Sequence, residues 1–320
     1  MRRILYALLI AGSQIAAPVD AAPAADLAAA LKSLAADDMR LLSIGYRLAV
    51  SNAAYCREVQ PAAGLLLLDV RGFDRPAELR VALGLTGDFA VQAVVTGSPA
   101  DRAGVVPGAE VVAVGAQQLA ALPAEPVHDF ARLAAVQDRI DATLMVQGRV
   151  ALGLAGAAVE FGGVAACRSR FELLTGGKGA AADGRRVQVS RTLLGMTDSD
   201  DEAAFVIAHE LAHNVLAHPS ARGRKASDIR KTERGADRLA LWLMANAGFD
   251  PLAAPGFLRR WGKRGLAALL PAPTHDRAET RARLVGQEMS VLSLTKVEAN
   301  GLRDWRNRFT PGQASRQKSP

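Results

Sequence analysis

The 320-residue chain is poor in cysteine, in aromatic residues and in long apolar runs. Cys56 and Cys167 are its only cysteines. That argues against a purely structural zinc ion, since such sites are closed by four protein ligands and are usually cysteine-rich. Aromatic residues make up 5% of the chain and do not interleave with the basic ones. A platform for single-stranded nucleic acid needs that interleaving, and no reader motif is visible, so no nucleic-acid partner is expected. Beyond the first residues, no segment is long and apolar enough for a membrane helix; the nearest, residues 150–166, is broken by Glu160 and by glycines. No internal repeat is visible. Histidine is scarce as well, yet three of the five fall within ten residues, at 209, 213 and 218.

Lys and Arg number 39 against 32 Asp and Glu, a formal charge of +7. The basic residues are dispersed, with the densest group at Arg222, Arg224, Lys225, Arg230, Lys231 and Arg234. They read as a solvated face, one suited to an anionic membrane surface or an acidic substrate. The chain opens with Met1-Arg2-Arg3, a short apolar run from Ile4 to Ile10, and then small residues. This pattern predicts a signal peptide over residues 1–21, cleaved after Val19-Asp20-Ala21, with alternative sites around Ala16 and Ala17. Cleavage would remove Arg2, Arg3 and Asp20, leaving 37 positive and 31 negative charges, or +6. The expectation is an exported protein, periplasmic or secreted, with no transmembrane anchor after signal removal and at most peripheral membrane contact. No cysteine lies near the cleavage point to carry a lipid. In an exported chain an even cysteine count is compatible with a disulfide. Cys56 and Cys167 bracket the middle region, so the pair reads as a staple where an inserted domain leaves and rejoins its host; two buried thiols are the alternative.

The segment Phe205-Val-Ile-Ala-His209-Glu210-Leu-Ala-His213 carries the chemistry. Residues four apart share one face of a helix, so His209 and His213 can offer two imidazoles to one metal ion. Glu210 lies beside them as a base for a water molecule. Ser199-x-x-Glu202 is a capping box just ahead, and Asp198, Asp200 and Asp201 put negative charge where the helix dipole favours it. A catalytic zinc needs a third protein ligand and an open position. His218 is one residue short of the metzincin spacing, which falls on Pro219. A second helix is read from Thr232 to Gly248, capped by Ser227 or Asp228. On it, Glu233 and Asp237 share a face. Glu233 would donate the third ligand, and Asp237 would hold the outer nitrogen of a zinc-bound histidine; a solvated Glu-Arg-Asp-Arg face is the alternative. Gly235, costly inside a helix, suggests a close approach of the two helices.

His209-Glu-Leu-Ala-His213 followed by Glu233-x-x-Ala-Asp237 resembles the gluzincin metallopeptidases of the HtpX and CAAX-prenyl-protease family. Further motifs follow in the family's order. His218 matches a histidine at that spacing, Ala247-Gly-Phe-Asp-Pro251 resembles the turn after the second helix, and Thr274-His275-Asp276 with Arg281 resembles the "HP…R" motif, with Asp276 in place of proline. Ala182 to Ser190 resembles the strand before the zinc helix, where the family usually has Asn-Ala and this chain has Gly179-Ala180. The resemblance covers about residues 165–290. It implies a zinc-dependent endopeptidase, with substrate expected along Val187–Ser190. His275 then either stabilises the oxyanion or caps the metal, and Arg281 orients a carboxylate near the site.

Residues 89–115 read as strand, short helix, turn and strand, with Ser98-Pro99 opening the helix and Gly104 and Gly108 in the turns. This resembles a PDZ domain of bacterial proteases, with Ala109 in place of the usual Asp. An amphipathic helix is expected over 127–140 and a glycine-rich hairpin over 144–164. Such domains bind an extended peptide or a C-terminus by adding a strand to a sheet edge. Gly64 to Leu68 is either that strand and loop or a core strand.

The expected fold is α+β: a mainly helical zincin-type peptidase with a small sheet, interrupted by a β-rich PDZ-like domain. The divisions are 1–21 signal peptide, 22–60 helical start of the peptidase, 61–164 PDZ-like insertion, 165–306 peptidase, and 307–320 flexible tail. The expected activity is a zinc endopeptidase on protein or peptide substrates, exported or misfolded proteins among them. The rival is a peptide-binding adaptor or holdase with a silent zinc site.

Overall fold

The computed structural model describes residues 24–123, 130–262 and 275–309. The expected signal peptide lies outside them, as do residues 310–320. The first described element is a long helix, α1 (Ala24–Ser51). Its Leu41, Ile44 and Leu48, at helical spacing, are buried in the largest core. The helix stops well before Gln60, where the sequence reading carried it. Asn52 marks the end: its amide donates to Leu48 O (2.9 Å) and to Leu243 O (3.0 Å). A side chain that bonds nearby backbone in this way competes with helix continuation. The chain then makes one 3-10 turn and enters β1 (Val59–Ala62).

β1 pairs antiparallel with β8 (Val164–Cys167), placing Val59 opposite Cys167. Cys56 and Cys167 are bonded, with Cα atoms 5.4 Å apart. The 101 residues from 63 to 163 therefore leave and return through one two-stranded neck. They form β2 (Leu65–Asp69), α2 (Pro76–Leu83), β3 (Phe89–Val94), α3 (Pro99–Arg102), β4 (Val111–Val114), β5 (Gln117–Gln118), α4 (Ala131–Gln147), β6 (Arg149–Leu154) and β7 (Ala157–Gly162). β2 and β3 pair antiparallel, and the larger sheet has the order β5-β4-β6-β7. Leu67, Phe89, Val111, Val136, Leu152 and Phe161 belong to its own buried cluster. Ser98 caps α3 by accepting from Asp101 N (3.3 Å), and Gly104 and Gly108 take φ of +81° and +85°. The expected hairpin from residue 144 begins later. α4 runs through Gln147 and stops at Gly148 (φ +73°), where glycine adopts a left-handed conformation at little cost.

After the neck, β9 (Arg170–Leu174), β10 (Ala180–Ala182) and β11 (Arg186–Ser190) form a sheet of order β10-β11-β9. β11 is antiparallel to β10 and parallel to β9. Helices α5 (Arg191–Leu194), α6 (Asp200–Val215), α7 (Ala226–Asn246), α8 (Ala253–Gly262), α9 (Ala278–Leu294) and α10 (Arg306–Phe309) follow. α6 is apolar on most of its surface because α1, α7, α8 and the sheet pack around it. Ser199 caps it by accepting from Glu202 N (3.2 Å), while Glu202 reaches back to Asp198 N (2.8 Å), one residue ahead of the cap. α7 starts earlier than expected, so Ser227 and Asp228 lie inside it and neither caps it. Its stop at Gly248 (φ +72°) is where glycine serves best.

The expected loose tail is partly ordered. Residues 307–309 belong to α10, where Arg308 Nη2 donates to Glu288 Oε2 (2.8 Å) and Phe309 meets Trp242 edge-on at 6.1 Å. Glu288 is 3% exposed, and a carboxylate buried that deeply needs cations. Among the described residues, no helix is long and apolar enough to cross a membrane.

Candidate metal centre

α6 brings His209 and His213 to its face toward α7, and α7 presents Glu233 to them. The Nε2 atoms of the histidines are 3.2 Å apart. Glu233 Oε2 is 3.2 Å from His209 Nε2, and Oε1 is 3.6 Å from His213 Nε2. All three ligand atoms lie within 4.8 Å of one another. Metal bonds of 2.0–2.2 Å in a tetrahedron give ligand-to-ligand edges of about 3.3–3.6 Å. The observed spacings of 3.2, 3.2 and 3.6 Å, the last two to different oxygens of Glu233, lie close to those edges, so the residues fit a zinc-type ion with three protein ligands.

The outer imidazole nitrogens are also held. His209 Nδ1 lies 2.9 Å from Asp237 Oδ1, although off the line of a well-formed hydrogen bond. Arg281, from α9, donates to both oxygens of Asp237. His213 Nδ1 lies 3.1 Å from His218 Nδ1. His275 Nε2 is 3.1 Å from Glu233 Oε2, and its side chain is 41% exposed. Thr274, the residue before it in the expected motif, falls outside the described residues. Asp276, which replaces the family's proline, takes both donors of Arg234 on α7, at 2.6 and 2.9 Å.

Electrostatics point the same way. Burial tends to raise the Glu233 carboxyl, but hydrogen bonds with His209, His213 and His275 outweigh it and hold the group far below the usual carboxylate range. Burial opposes ionisation of Asp237 as well, and Arg281 beside it keeps that carboxyl low. Burial lowers the His209 imidazole, yet Asp237 and Glu233 overcome this and push it up to about 10. Burial pushes the Glu210 carboxyl up, against the pull of His209 and His213. Burial, then the neighbouring His213, pushes His218 down to about 4.

Glu210, His209 and His275 line one cleft of about 160 Å³ together with Gly179, Ala180, Phe257, Trp261 and Arg281. Its strand is not the expected one. Val187–Ser190 belongs to β11, the middle strand, whose two edges are taken by β10 and β9. The edge at the cleft is β10. Asn214 of α6 fixes this edge by accepting from Gly184 N (2.6 Å) in the β10–β11 turn and donating to Ser169 Oγ (2.9 Å). Gly235 differs too. A Cβ there would meet the His218 ring at 3.6 Å and Leu216 at 3.8 Å, so the histidine side chain, not α6 backbone, lies opposite it. The contacts of His218, Asn214 and Asp276 were invisible in the sequence; the spacing of His218 after His213 was the one available signal.

Residues 178–227 match the model of peptidase family M48. The matched stretch spans β10, β11 and α6, with His209, Glu210 and His213, and ends before Glu233. The chain is also 30% identical over 132 residues to the mitochondrial metalloendopeptidase OMA1 of Arabidopsis thaliana, covering 32% of this chain and 27% of that protein. These findings support a metallopeptidase of the M48 type. The chain spans about a quarter of the length of the curated relative it matches. No solved structure matches it.

Proposed function

We propose that this chain is a zinc-dependent endopeptidase of protein substrates. The observation that carries the proposal is the cluster of His209, His213 and Glu233, with contacts of 3.2–3.6 Å between them, beside Glu210 in an open cleft. When bound, zinc supplies a Lewis acid that polarises a scissile carbonyl and lowers the pKa of a water to about 7. Glu210 is the general base: its carboxylate takes the proton from the attacking water and then delivers it to the leaving amine. Asp237 and His218 orient the two imidazoles, and Arg281 orients Asp237. His275, whose Nε2 lies 3.1 Å from Glu233 Oε2, has two roles open to it: donation to the oxyanion, or capping the metal as a further ligand. Substrate backbone pairs with the β10 edge at Ala180–Ala182, in place of the strand expected from the sequence.

The subtype we propose is the HtpX and CAAX-prenyl-protease type, in an exported, periplasmic or secreted form, with residues 61–164 as a PDZ-like insertion. An extended peptide or a C-terminus is its proposed ligand. What supports that reading is β2, which pairs only with β3 among the described strands. A cavity of about 320 Å³ runs along Leu66–Asp69, walled by α4 at Leu133 and Gln137 and by Leu173 of β9. Peripheral contact with an anionic membrane rests on charge alone.

The deciding experiment is Glu210→Gln, assayed for zinc content and for casein cleavage with and without chelator. The expected result is full metal content with cleavage lowered at least 10²-fold, the scale of general base catalysis. If the variant cuts as well as the parent, the base assignment falls. If the purified parent holds zinc and cuts nothing, the adaptor reading takes its place.

A further inference from the structure

We propose that His218 is a positioning residue that fixes the ring and tautomer of His213 through the Nδ1–Nδ1 contact. The inference rests on the zinc reading of the site and deepens it. The geometry begins at the end of α6. Ala217 N donates to Asn214 O (3.0 Å), and His218 N donates to His213 O (3.0 Å). These two bonds are the Schellman closure of a helix, which needs a left-handed residue at its turn and is usually built on glycine. Here the residue is Ala217, at φ +50°, the one non-glycine with positive φ among the described residues. An alanine held so is in a conformation that L-residues with a Cβ disfavour.

The closure folds His218 back over His213, the residue five positions earlier. In this motif an apolar contact commonly joins those two positions. In this chain two imidazoles occupy them, with ring centroids 4.9 Å apart and planes at 76°. His213 Nε2 faces His209 and Glu233, so a metal there requires that nitrogen to carry the lone pair. The proton of His213 then sits on Nδ1 and is donated to His218 Nδ1 at 3.1 Å. His218 must accept at Nδ1 and carry its own proton on Nε2. The far side of its ring lies opposite Gly235 of α7, where a Cβ would stand 3.6 Å away. The two ligands are thus oriented by different chemistry, His209 by a carboxylate and His213 by a neutral imidazole.

The test compares zinc dissociation constants, by chelator competition, of the parent, His218→Leu and His218→Asn, alongside melting of each metal-free protein. His218→Leu restores the apolar contact usual in this closure but has no acceptor, whereas the Asn oxygen stands close to where Nδ1 was. The expected result is zinc binding weakened roughly 10- to 100-fold in the Leu variant, near-parental binding in the Asn variant, and no matching loss of metal-free stability. Parental zinc affinity in His218→Leu overturns the proposal, as does equal weakening by both substitutions, which would make the effect one of packing. A parent that binds no zinc overturns both this inference and the peptidase reading; a parent that binds it with an unaffected Leu variant overturns this inference alone.

Discussion

Arg281 grips Asp237 with two parallel donors, Nε to Oδ2 at 2.8 Å and Nη2 to Oδ1 at 2.6 Å, and the same Oδ1 stands 2.9 Å from His209 Nδ1. A chain of three side chains thus runs from α9 through α7 to α6 and ends on a proposed metal ligand. Asp237 is 2% exposed, so its charge has little water to stabilise it.

Arg281→Ala is therefore expected to do two things. Stripping the partner from a buried carboxylate costs about 3–5 kcal/mol, read as a lower urea midpoint. Loss of the support behind His209 weakens zinc binding roughly 10- to 100-fold, read by chelator competition. Arg281→Lys keeps the charge without the planar fork and should fall between Ala and the parent in both measurements. An Ala variant with parental stability and parental zinc affinity would show that the clamp is incidental.

The cluster of His209, His213 and Glu233 was legible because the histidine spacing is local. His209 and His213 are one helical turn apart, and an incomplete ligand set called for an acid on the next helix. Capping at Ser199 and the turns at Ser98, Gly104 and Gly108 were legible for the same reason. What the sequence hid was long-range. Residues 187–190 looked like a strand and are one, but its parallel pairing with β9 depends on a segment 16 residues earlier, as in Val187 opposite Phe171, and that pairing makes it a middle strand. β10 has three alanines and no alternation, so nothing marked it as the edge. Arg308 and Phe309 looked like a loose tail because Glu288 and Trp242, which hold them, lie far back in the chain. The folding-back of His218 depends on a left-handed alanine where a stop signal is normally glycine.

Pairing of substrate with β10 leads to a prediction at one backbone atom. Gly179 O accepts from Ser190 N and Asp183 N donates to Arg186 O, so positions 179, 181 and 183 turn their polar groups toward β11. In an antiparallel ladder the alternate positions face away, which aims the N–H and C=O of Ala180 and Ala182 outward. Ala180 lines the cleft. Ala180→Pro deletes one outward N–H without touching the ladder to β11, a position where an edge strand tolerates proline. Loss of one hydrogen bond should lower kcat/KM on a peptide substrate roughly 2- to 10-fold, with melting and zinc content unchanged. Parental kinetics in this variant would place the substrate elsewhere.

A pH dependence follows from Asp38, on α1 and outside the candidate metal site. Gln92 Nε2 donates to its Oδ2 at 2.8 Å. Burial pushes its carboxyl up to about 6; the Gln92 bond opposes the shift, Asp37 adds to it and Arg191 offsets it weakly. In the unfolded chain the group titrates near 4. The folded state therefore binds this proton more tightly than the unfolded one. The stability contributed by the protonated group is fully present below about pH 4 and is lost as pH rises through 6. Asp38→Asn keeps an acceptor for Gln92 and abolishes the charge. A shift of this size corresponds to about 3 kcal/mol, and partial exposure of the side chain reduces it to roughly 1–2 kcal/mol. The Asn variant should thus be more stable than the parent by that amount at pH 7.5 in urea unfolding, with the two curves converging near pH 4. Equal stability at both pH values would mean that Asp38 is as well solvated in the folded protein as in the unfolded chain.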